Sequence, residues 1–328
     1  MYRILITGLG AGIIYQPEDL ARLSALGTVQ VQQEMTRAEL LEAIPSVDIL
    51  MTDCTRIDSE VFDRGKDLKL IVEHGVGYDN IDVASATAHG VLVCHTPEVY
   101  TTQVAEMAVA ALFAASKFLF QAVSNVKDTA VWNSAPFPCR HVSGKTLGII
   151  GCGRIGSAFL KMMAGFHMNI LVCDPYISQA YIRDLGAEPV TLDELLQRAE
   201  LISIHTPKTP ETYHMLGEEA FRKMRPGVIL VNTARGGIVD EAALAQALEN
   251  GTVLAAALDV MEGEPQISDS PVLRHPRVLL TPHMAWKSEY SVPAVINQCI
   301  QDVYAYAEGH PVFVCNPDLL EKDSVHGK

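Results

Sequence analysis

Thr146-Leu147-Gly148-Ile149-Ile150-Gly151-Cys152-Gly153-Arg154-Ile155-Gly156 is an apolar run that opens into a glycine-spaced turn. The run reads as a buried strand and the residues after Gly156 as a helix, the setting in which G-x-G-x-x-G carries physical meaning. Gly151 permits the tight turn, Gly153 lets the backbone approach a pyrophosphate, and Gly156 lets helix and strand pack closely. The helix N-terminus then faces the phosphates, where its dipole favours negative charge. Asp174 ends the next predicted strand, where a carboxylate accepts hydrogen bonds from ribose hydroxyls and repels a 2′-phosphate. NAD is therefore expected in preference to NADP.

Outward from this turn, short β-branched runs alternate with helical stretches along the whole chain, which signals α/β architecture with parallel sheets. Before the turn the strand candidates are Arg3–Thr7, Val29–Gln33, Ile49–Thr52, Leu70–Glu73 and Val91–Cys94. After it come Asn169–Cys173, Leu201–His205, Val228–Asn232, Leu254–Leu258 and Val278–Thr281. One long helix is predicted over Thr102–Lys127, followed by a weakly periodic stretch, Val131–His141, and a last helix over Val292–Glu308. Five strands already fill the front unit, so the C-terminal helix is expected to return to it. The expected domains are residues 1–99 with 292–328, which bind substrate, and residues 100–291, which bind the dinucleotide. Gly8-Leu9-Gly10 also follows a strand, but position 13 is Ile and Glu34 is the only suitably placed acid, so it reads as a tight loop.

The bulk properties exclude several classes. With 328 residues, 48% hydrophobic and 20% charged, and no apolar run near the ~20 residues a bilayer demands, a soluble globular protein without a membrane partner is expected. A formal charge of −14 disfavours nucleic acid, whose binders present basic surface. The start, MYRILITGLG, runs straight into a strand with neither signal nor transit character, which points to the cytoplasm. The 7 cysteines are scattered without a C-x-x-C pair, as suits free thiols in a reducing compartment, and no metal site is expected.

Three polar segments follow predicted strands in the second half, where open α/β sheets bind ligands. They hold Arg235, Glu264 and His283. Interconverting a hydroxy acid and a keto acid requires a cation on the substrate carboxylate, which suits the Arg235 fork. It requires a proton donor and acceptor near neutral pH, which suits His283. A carboxylate beside the imidazole fixes its tautomer and favours the protonated ring, which suits Glu264.

These segments resemble the D-isomer-specific 2-hydroxyacid dehydrogenase family. The likeness runs through HGVGYDNID (His74–Asp82), VAEMA (Val104–Ala108), GKTLGIIGCGRIG (Gly144–Gly156), VNTARGGIVDEAAL (Val231–Leu244), LDVMEGEP (Leu258–Pro265) and TPHMAW (Thr281–Trp286). It implies two doubly wound domains, one flavodoxin-like and one Rossmann-like, with an interdomain cleft. It implies hydride transfer between nicotinamide and C2 of a small 2-hydroxy or 2-keto acid, with Arg235, Glu264 and His283 catalytic and His283 as general acid and base. The backbone of Val76 and Gly77 is implied to hold the substrate carboxylate, with Tyr100 and Trp286 beside it. Besides the three glycines and Asp174, the resemblance places Thr101, Arg154, Ile155, His205, Thr206, Pro207, Thr212, Ala234 and Asp259 along the cofactor. A homodimer formed through about Phe120–His141 is also implied.

The run His283-Met284-Ala285-Trp286-Lys287-Ser288-Glu289 is similar to that of the C-terminal-binding-protein branch of the family. That branch supplies a second reading, an NAD(H)-sensing corepressor-like scaffold without significant catalysis. Many relatives carry Arg where this chain has Glu73, and an anion there repels a doubly negative substrate such as 3-phosphoglycerate. Glu73 pointing out into solvent, or pairing with a polar group of the substrate, are the other readings of that position.

Overall fold

Parallel strands pair with crossover helices between them because nearly every strand in this chain is apolar on both faces. The computed structural model describes residues 1–10 and 12–320; residues 321–328, which the expected front domain includes, lie outside the described residues. In chain order the first elements are β1 (Tyr2–Thr7), α1 (Pro17–Ser24), β2 (Gly27–Gln32), α2 (Arg37–Ala43), β3 (Ile49–Thr52), α3 (Ser59–Arg64), β4 (Leu70–Glu73), α4 (Val83–Ala88) and β5 (Leu92–Cys94). There follow α5 (Thr101–Ser116), α6 (Leu119–Thr129), β6 (Thr146–Ile150), α7 (Arg154–Met163), β7 (Asn169–Cys173), α8 (Gln179–Asp184), β8 (Glu188–Pro189) and α9 (Leu192–Arg198). The last are β9 (Leu201–Ile204), α10 (Glu218–Lys223), β10 (Val228–Asn232), α11 (Glu241–Glu249), β11 (Val253–Leu258), β12 (Val278–Leu280) and α12 (Ser291–Ala307).

The chain divides into two units, one made of Met1–Tyr100 with the segment that begins at Lys287, the other of Thr101–Trp286. The first holds a parallel sheet in the order β2-β1-β3-β4-β5, the flavodoxin-like arrangement. Leu5, Leu50, Ile71 and Val93 face the same core cluster as Leu40, Val61 and Phe62 of α2 and α3. The C-terminal segment joins this sheet, with Cys94 bridged to Val314 and Asn316 accepting from the Val93 amide at 3.0 Å.

α12 carries a buried acid, Asp302. One carboxyl oxygen accepts from Gln298 Nε2 at 2.9 Å, and the other has no partner among the described residues. Burial pushes its pKa up to about 7. An unfolded Asp ionises near 4, so between about pH 4 and pH 7 the unfolded chain releases a proton that the folded chain retains. The Asp302 contribution is thus most favourable below pH 4 and declines as pH rises through that window, by roughly 4 kcal/mol at one pKa unit per 1.36 kcal/mol. Asp302→Asn is expected to remove this decline, so the difference in Tm between variant and wild type should grow from pH 4 to pH 8. Parallel curves would assign the carboxyl no part in the pH dependence.

The second unit holds the order β12-β11-β10-β9-β6-β7-β8, the Rossmann pattern. Alternation along its strands sends Leu147, Ile149, Ile229 and Val231 to one face and Ile150, Ile202, Leu230 and Leu258 to the other. Small residues at helical spacing on α5, Ala105, Ala108, Ala111 and Ala115, bring that helix close against the first face together with Phe159 and Met163 of α7. β8 escaped the sequence reading because it is two residues long and includes a proline, which an edge position tolerates.

The single helix expected over Thr102–Lys127 is in fact two, bent by 58°. Phe118 adopts a left-handed φ of 51° while its ring is buried in the core, so α6 leaves the sheet and buries none of its own side chains. Both halves have helical composition, so periodicity alone could not reveal the break. Among the described residues no single helix is long and apolar enough to cross a membrane.

Candidate active site

The β6–α7 turn gives each of its glycines a distinct duty. Gly151 has φ 88°, and a Cβ there would sit 2.7 Å from the His205 carbonyl carbon and 2.8 Å from the Thr206 amide. The loops after β6 and β9, neighbouring strands whose connections depart in opposite directions, therefore touch at the topological switch point of the sheet. At Gly156 a Cβ would fall onto the Gly151 carbonyl oxygen, whereas at Gly153 it would meet nothing within 4 Å. Gly153 is thus the position with free room in front of it, at the N-cap of the ten-residue helix α7.

Asp174 closes β7 with its carboxylate gathered by three amides, Cys152 at 2.7 Å, Tyr176 at 2.9 Å and Ile177 at 3.1 Å. It is only partly buried and stands beside the glycine turn. Open space at Gly153, helix amides behind it and an oriented carboxylate alongside are the donor and acceptor set a dinucleotide requires. His205 turns Nε2 to Ser203 Oγ at 2.9 Å and packs on Phe159, and burial lowers its pKa to about 3, so the ring is neutral. Thr212 is folded into its own loop, its hydroxyl donating to the Pro207 carbonyl at 2.7 Å.

The polar residues past β10, β11 and β12 lie in three interlocked loops. Asn232, buried at the end of β10, accepts from the Ala234 amide at 3.0 Å and donates to the Arg235 carbonyl at 2.9 Å, which shapes the turn that carries Arg235. A Cβ on Gly236 would meet the Met261 backbone, so that turn rests directly on the loop after β11. There the Glu264 carboxylate accepts from the Met261 amide at 3.2 Å and, through its other oxygen, pairs with His283 Nδ1 at 2.7 Å.

Asp259 organises the third loop. Its buried carboxylate accepts from Thr281 Oγ1 at 2.5 Å, the Met284 amide at 3.0 Å and the Ala285 amide at 2.8 Å, and its carbonyl accepts from the His283 amide at 2.8 Å. This web holds His283 at φ 49°, a left-handed conformation that a side chain rarely occupies unaided. Trp286 Nε1 closes the turn on the His283 carbonyl at 3.0 Å.

Charge follows this geometry. Burial alone would lower the His283 pKa, but the Glu264 hydrogen bond and charge outweigh both it and the nearby Arg235, and the net shift is upward. For Glu264 burial acts upward, and the His283 partner, the Met261 amide and Arg235 carry the net shift down. The pair therefore favours an ionised carboxylate against a protonated imidazole, with the guanidinium of Arg235 close enough to act on both.

In the first unit, β4 runs into the loop that holds Val76 and Gly77. His74 is buried beneath it, its Nδ1 donating to the Thr52 carbonyl at 2.9 Å and its Nε2 paired with Tyr15 Oη at 2.6 Å. Burial lowers its pKa to about 4, so it is a neutral strut. Tyr100 donates to the His74 carbonyl at 2.8 Å, and His95 Nδ1 lies 2.8 Å from the Val76 carbonyl. Asn80 Nδ2 bonds the Asp53 carbonyl at 2.6 Å and Glu73 Oε2 at 3.0 Å.

Residues 109–285 match the D-isomer specific 2-hydroxyacid dehydrogenase, NAD binding domain. A D-3-phosphoglycerate dehydrogenase of Archaeoglobus fulgidus is 40% identical over 87% of this chain and 54% of its own length. The chain belongs to the D-isomer-specific 2-hydroxyacid dehydrogenase family. A glyoxylate reductase of Korarchaeum cryptofilum, another relative, is 39% identical over 87% of this chain and 86% of its own length. Among solved structures, a glyoxylate reductase from Paecilomyes thermophila superimposes with a TM-score of 0.88 at 29% identity, covering 97% of this chain and 99% of that one. The chain spans about half the length of the phosphoglycerate dehydrogenases it matches.

Within this family member, Arg235, Glu264 and His283 are gathered at one end of one sheet, and Arg154 and Ile155 begin α7 beside the glycine turn. Thr101 begins α5, while Val76 and Gly77 are half-buried in the loop of the other unit. Tyr100 is buried with its hydroxyl engaged on backbone, and both Asp259 oxygens are turned into the His283 loop, so each supports a neighbour. Glu73 is 1% exposed and bonded to Asn80, which rules out the reading that it points into solvent. Asn232 and Asn80 escaped the sequence reading; a polar residue closing an apolar strand was the only signal for Asn232.

Proposed function

We propose that this protein is an NAD-dependent D-2-hydroxyacid dehydrogenase working as a reductase of small, singly charged 2-keto acids. The observation that carries the reading is the 2.7 Å pair between His283 Nδ1 and Glu264, with Arg235 close enough to act on both. With Nδ1 committed to the carboxylate, Nε2 is the nitrogen left to hold the moving proton. The upward pKa of His283 suits it to protonate the keto oxygen, and in the reverse direction to take the hydroxyl proton. Arg235 grips the substrate carboxylate and polarises the neighbouring oxygen. When bound, the nicotinamide supplies the hydride that the carbonyl carbon receives. Asp174 selects the cofactor lacking a 2′-phosphate.

Single substrate charge is favoured because Glu73 Oε1 and Asp53 Oδ1 both flank Gly75, at 3.6 and 3.8 Å from where a side chain would begin. Carboxylates under the loop oppose a second anionic group on the substrate. α6 and the residues after it expose Leu119, Phe120, Val123, Val131 and Trp132, the last 92% exposed, an apolar strip that suits a second copy of the chain. The test is the decay of NADH absorbance with glyoxylate, pyruvate, hydroxypyruvate, phenylpyruvate and the phosphate ester of hydroxypyruvate. Turnover is expected with one or more of the first four and weakest with the last. Silence across the panel would leave the non-catalytic scaffold standing instead, and a sedimentation mass of one chain would remove the dimer.

A further inference from the structure

Outside the three groups just assigned, the second unit contains a compact polar cluster that the proposed reaction does not use. Tyr213 Oη donates to Glu262 Oε1 at 2.8 Å, and His214 Nε2 pairs with Glu262 Oε2 at 2.8 Å. The two rings stack at 4.0 Å, and His214 Nδ1 lies 3.9 Å from Asp240. The Glu262 amide donates to Glu241 Oε1 at 2.7 Å, and Ser270 Oγ bonds the other Glu241 oxygen.

The backbone ties the same segments together. The His214 amide donates to the Gly237 carbonyl at 2.7 Å, the Leu216 amide to Ile238 at 3.1 Å and the Asp240 amide back to Leu216 at 3.1 Å. Gly237, next in the chain but one after Arg235, sits against the Tyr213 ring, where a Cβ would be at 3.3 Å. Glu262 precedes Glu264 by two residues, and its amide lies against Gly236. Three loops thus meet around the Tyr213–Glu262 contact: the loop after β9, which carries Thr212, the loop after β10, which carries Arg235, and the loop after β11, which carries Glu264.

We infer that Glu262, gripped by Tyr213 and His214, is a positioning residue that sets where Glu264 stands relative to Arg235 and His283. The inference rests on the assignment of His283 as the proton donor. A carboxylate that accepts two side-chain donors on separate oxygens has its plane and height defined, and the chain two residues on inherits that placement. Glu264 must be within hydrogen-bond reach of Nδ1 to hold the imidazolium, so a displacement of the order of 1 Å is costly. His283 is faced by Glu264, Arg235 and Asp259, and of these Glu264 stands two residues along the chain from the clamped Glu262.

The test uses the full chain. Glu262→Ala is expected to reduce kcat for keto acid reduction about ten- to a hundredfold while the Kd for NADH, read by fluorescence, stays within about threefold. The alkaline limb of the reduction profile, where His283 loses its proton, should move to lower pH, because a loosened Glu264 no longer holds the imidazolium as well. Tyr213→Phe, which removes only the hydroxyl of an exposed ring, should move both readouts in the same direction by less. Glu262→Gln, which keeps the length and one acceptor, should recover part of the loss. A purely structural role would lower stability and scale kcat without moving the limb. That outcome, or unchanged kcat in both Glu262→Ala and Tyr213→Phe, overturns the inference. A wild-type profile with no alkaline limb overturns the His283 assignment and the inference with it, and is recognised separately because it needs no variant.

Discussion

His283→Ala is expected to lose about 10² to 10⁴ of kcat while NADH still binds, the usual weight of a general acid and base. The expectation follows from where the side chain is held. Its left-handed backbone is fixed by the Asp259 and Thr281 carbonyls, its Nδ1 by Glu264, and its turn by Trp286, so removing the imidazole deletes the proton carrier without unmaking the loop. The nucleotide turn, built from β6, α7 and β7, contains no group from that loop. NADH titration and steady-state reduction of the best keto acid, measured on the same preparation, check both halves. Undiminished turnover would take His283 out of the reaction, and a parallel loss of NADH binding would recast it as structural.

The second large effect separates two glycines three residues apart. Gly156→Ala places a methyl onto the Gly151 carbonyl oxygen, a backbone atom with no flexible side chain to yield. Overpacking of this kind costs about 1–3 kcal/mol, and here it also pries α7 from the turn, so both Tm and NADH affinity should drop. Gly153→Ala meets nothing within 4 Å and its φ of −68° suits any residue, so Tm should hold. Its methyl nevertheless occupies the room left for the pyrophosphate, and NADH affinity should fall about tenfold or more, some 1.4 kcal/mol. Thermal melts and NADH titrations of the pair give the comparison. Equal Tm losses, or a Gly153→Ala protein that binds NADH normally, would show that the open space at Gly153 has no part in cofactor binding.

Much of the fold was legible because its causes are local. A parallel strand buried on both faces is an apolar run wherever it lies, and a glycine that must turn or must admit a helix is glycine for reasons set within a few residues. The break between α5 and α6 was not legible. The residues on either side of Phe118 include no proline or glycine to announce a break, and the turn exists because a core elsewhere in the chain receives that ring. β8 was lost for a related reason, since two residues at a sheet edge owe their pairing to β7 and to nothing in their own pattern.

The candidate site divides along the same line. Arg235, Glu264 and His283 could be named from chemistry and from their places past three strands, because parallel topology sends the ends of all those strands to one edge. Their spacing says nothing of the props beneath them: Asn232 under the Arg235 turn, Asp259 under His283, Glu262 between three loops. Those partners lie up to dozens of residues apart, and a hydrogen bond of under 3 Å between such positions is settled only when the whole sheet has been assembled. Residue types and order along the chain thus determined which chemistry was on offer and on which scaffold. The tertiary structure alone decided which polar groups are spent on holding others in place, since burial and hydrogen-bond geometry are properties of the packed molecule and not of the string.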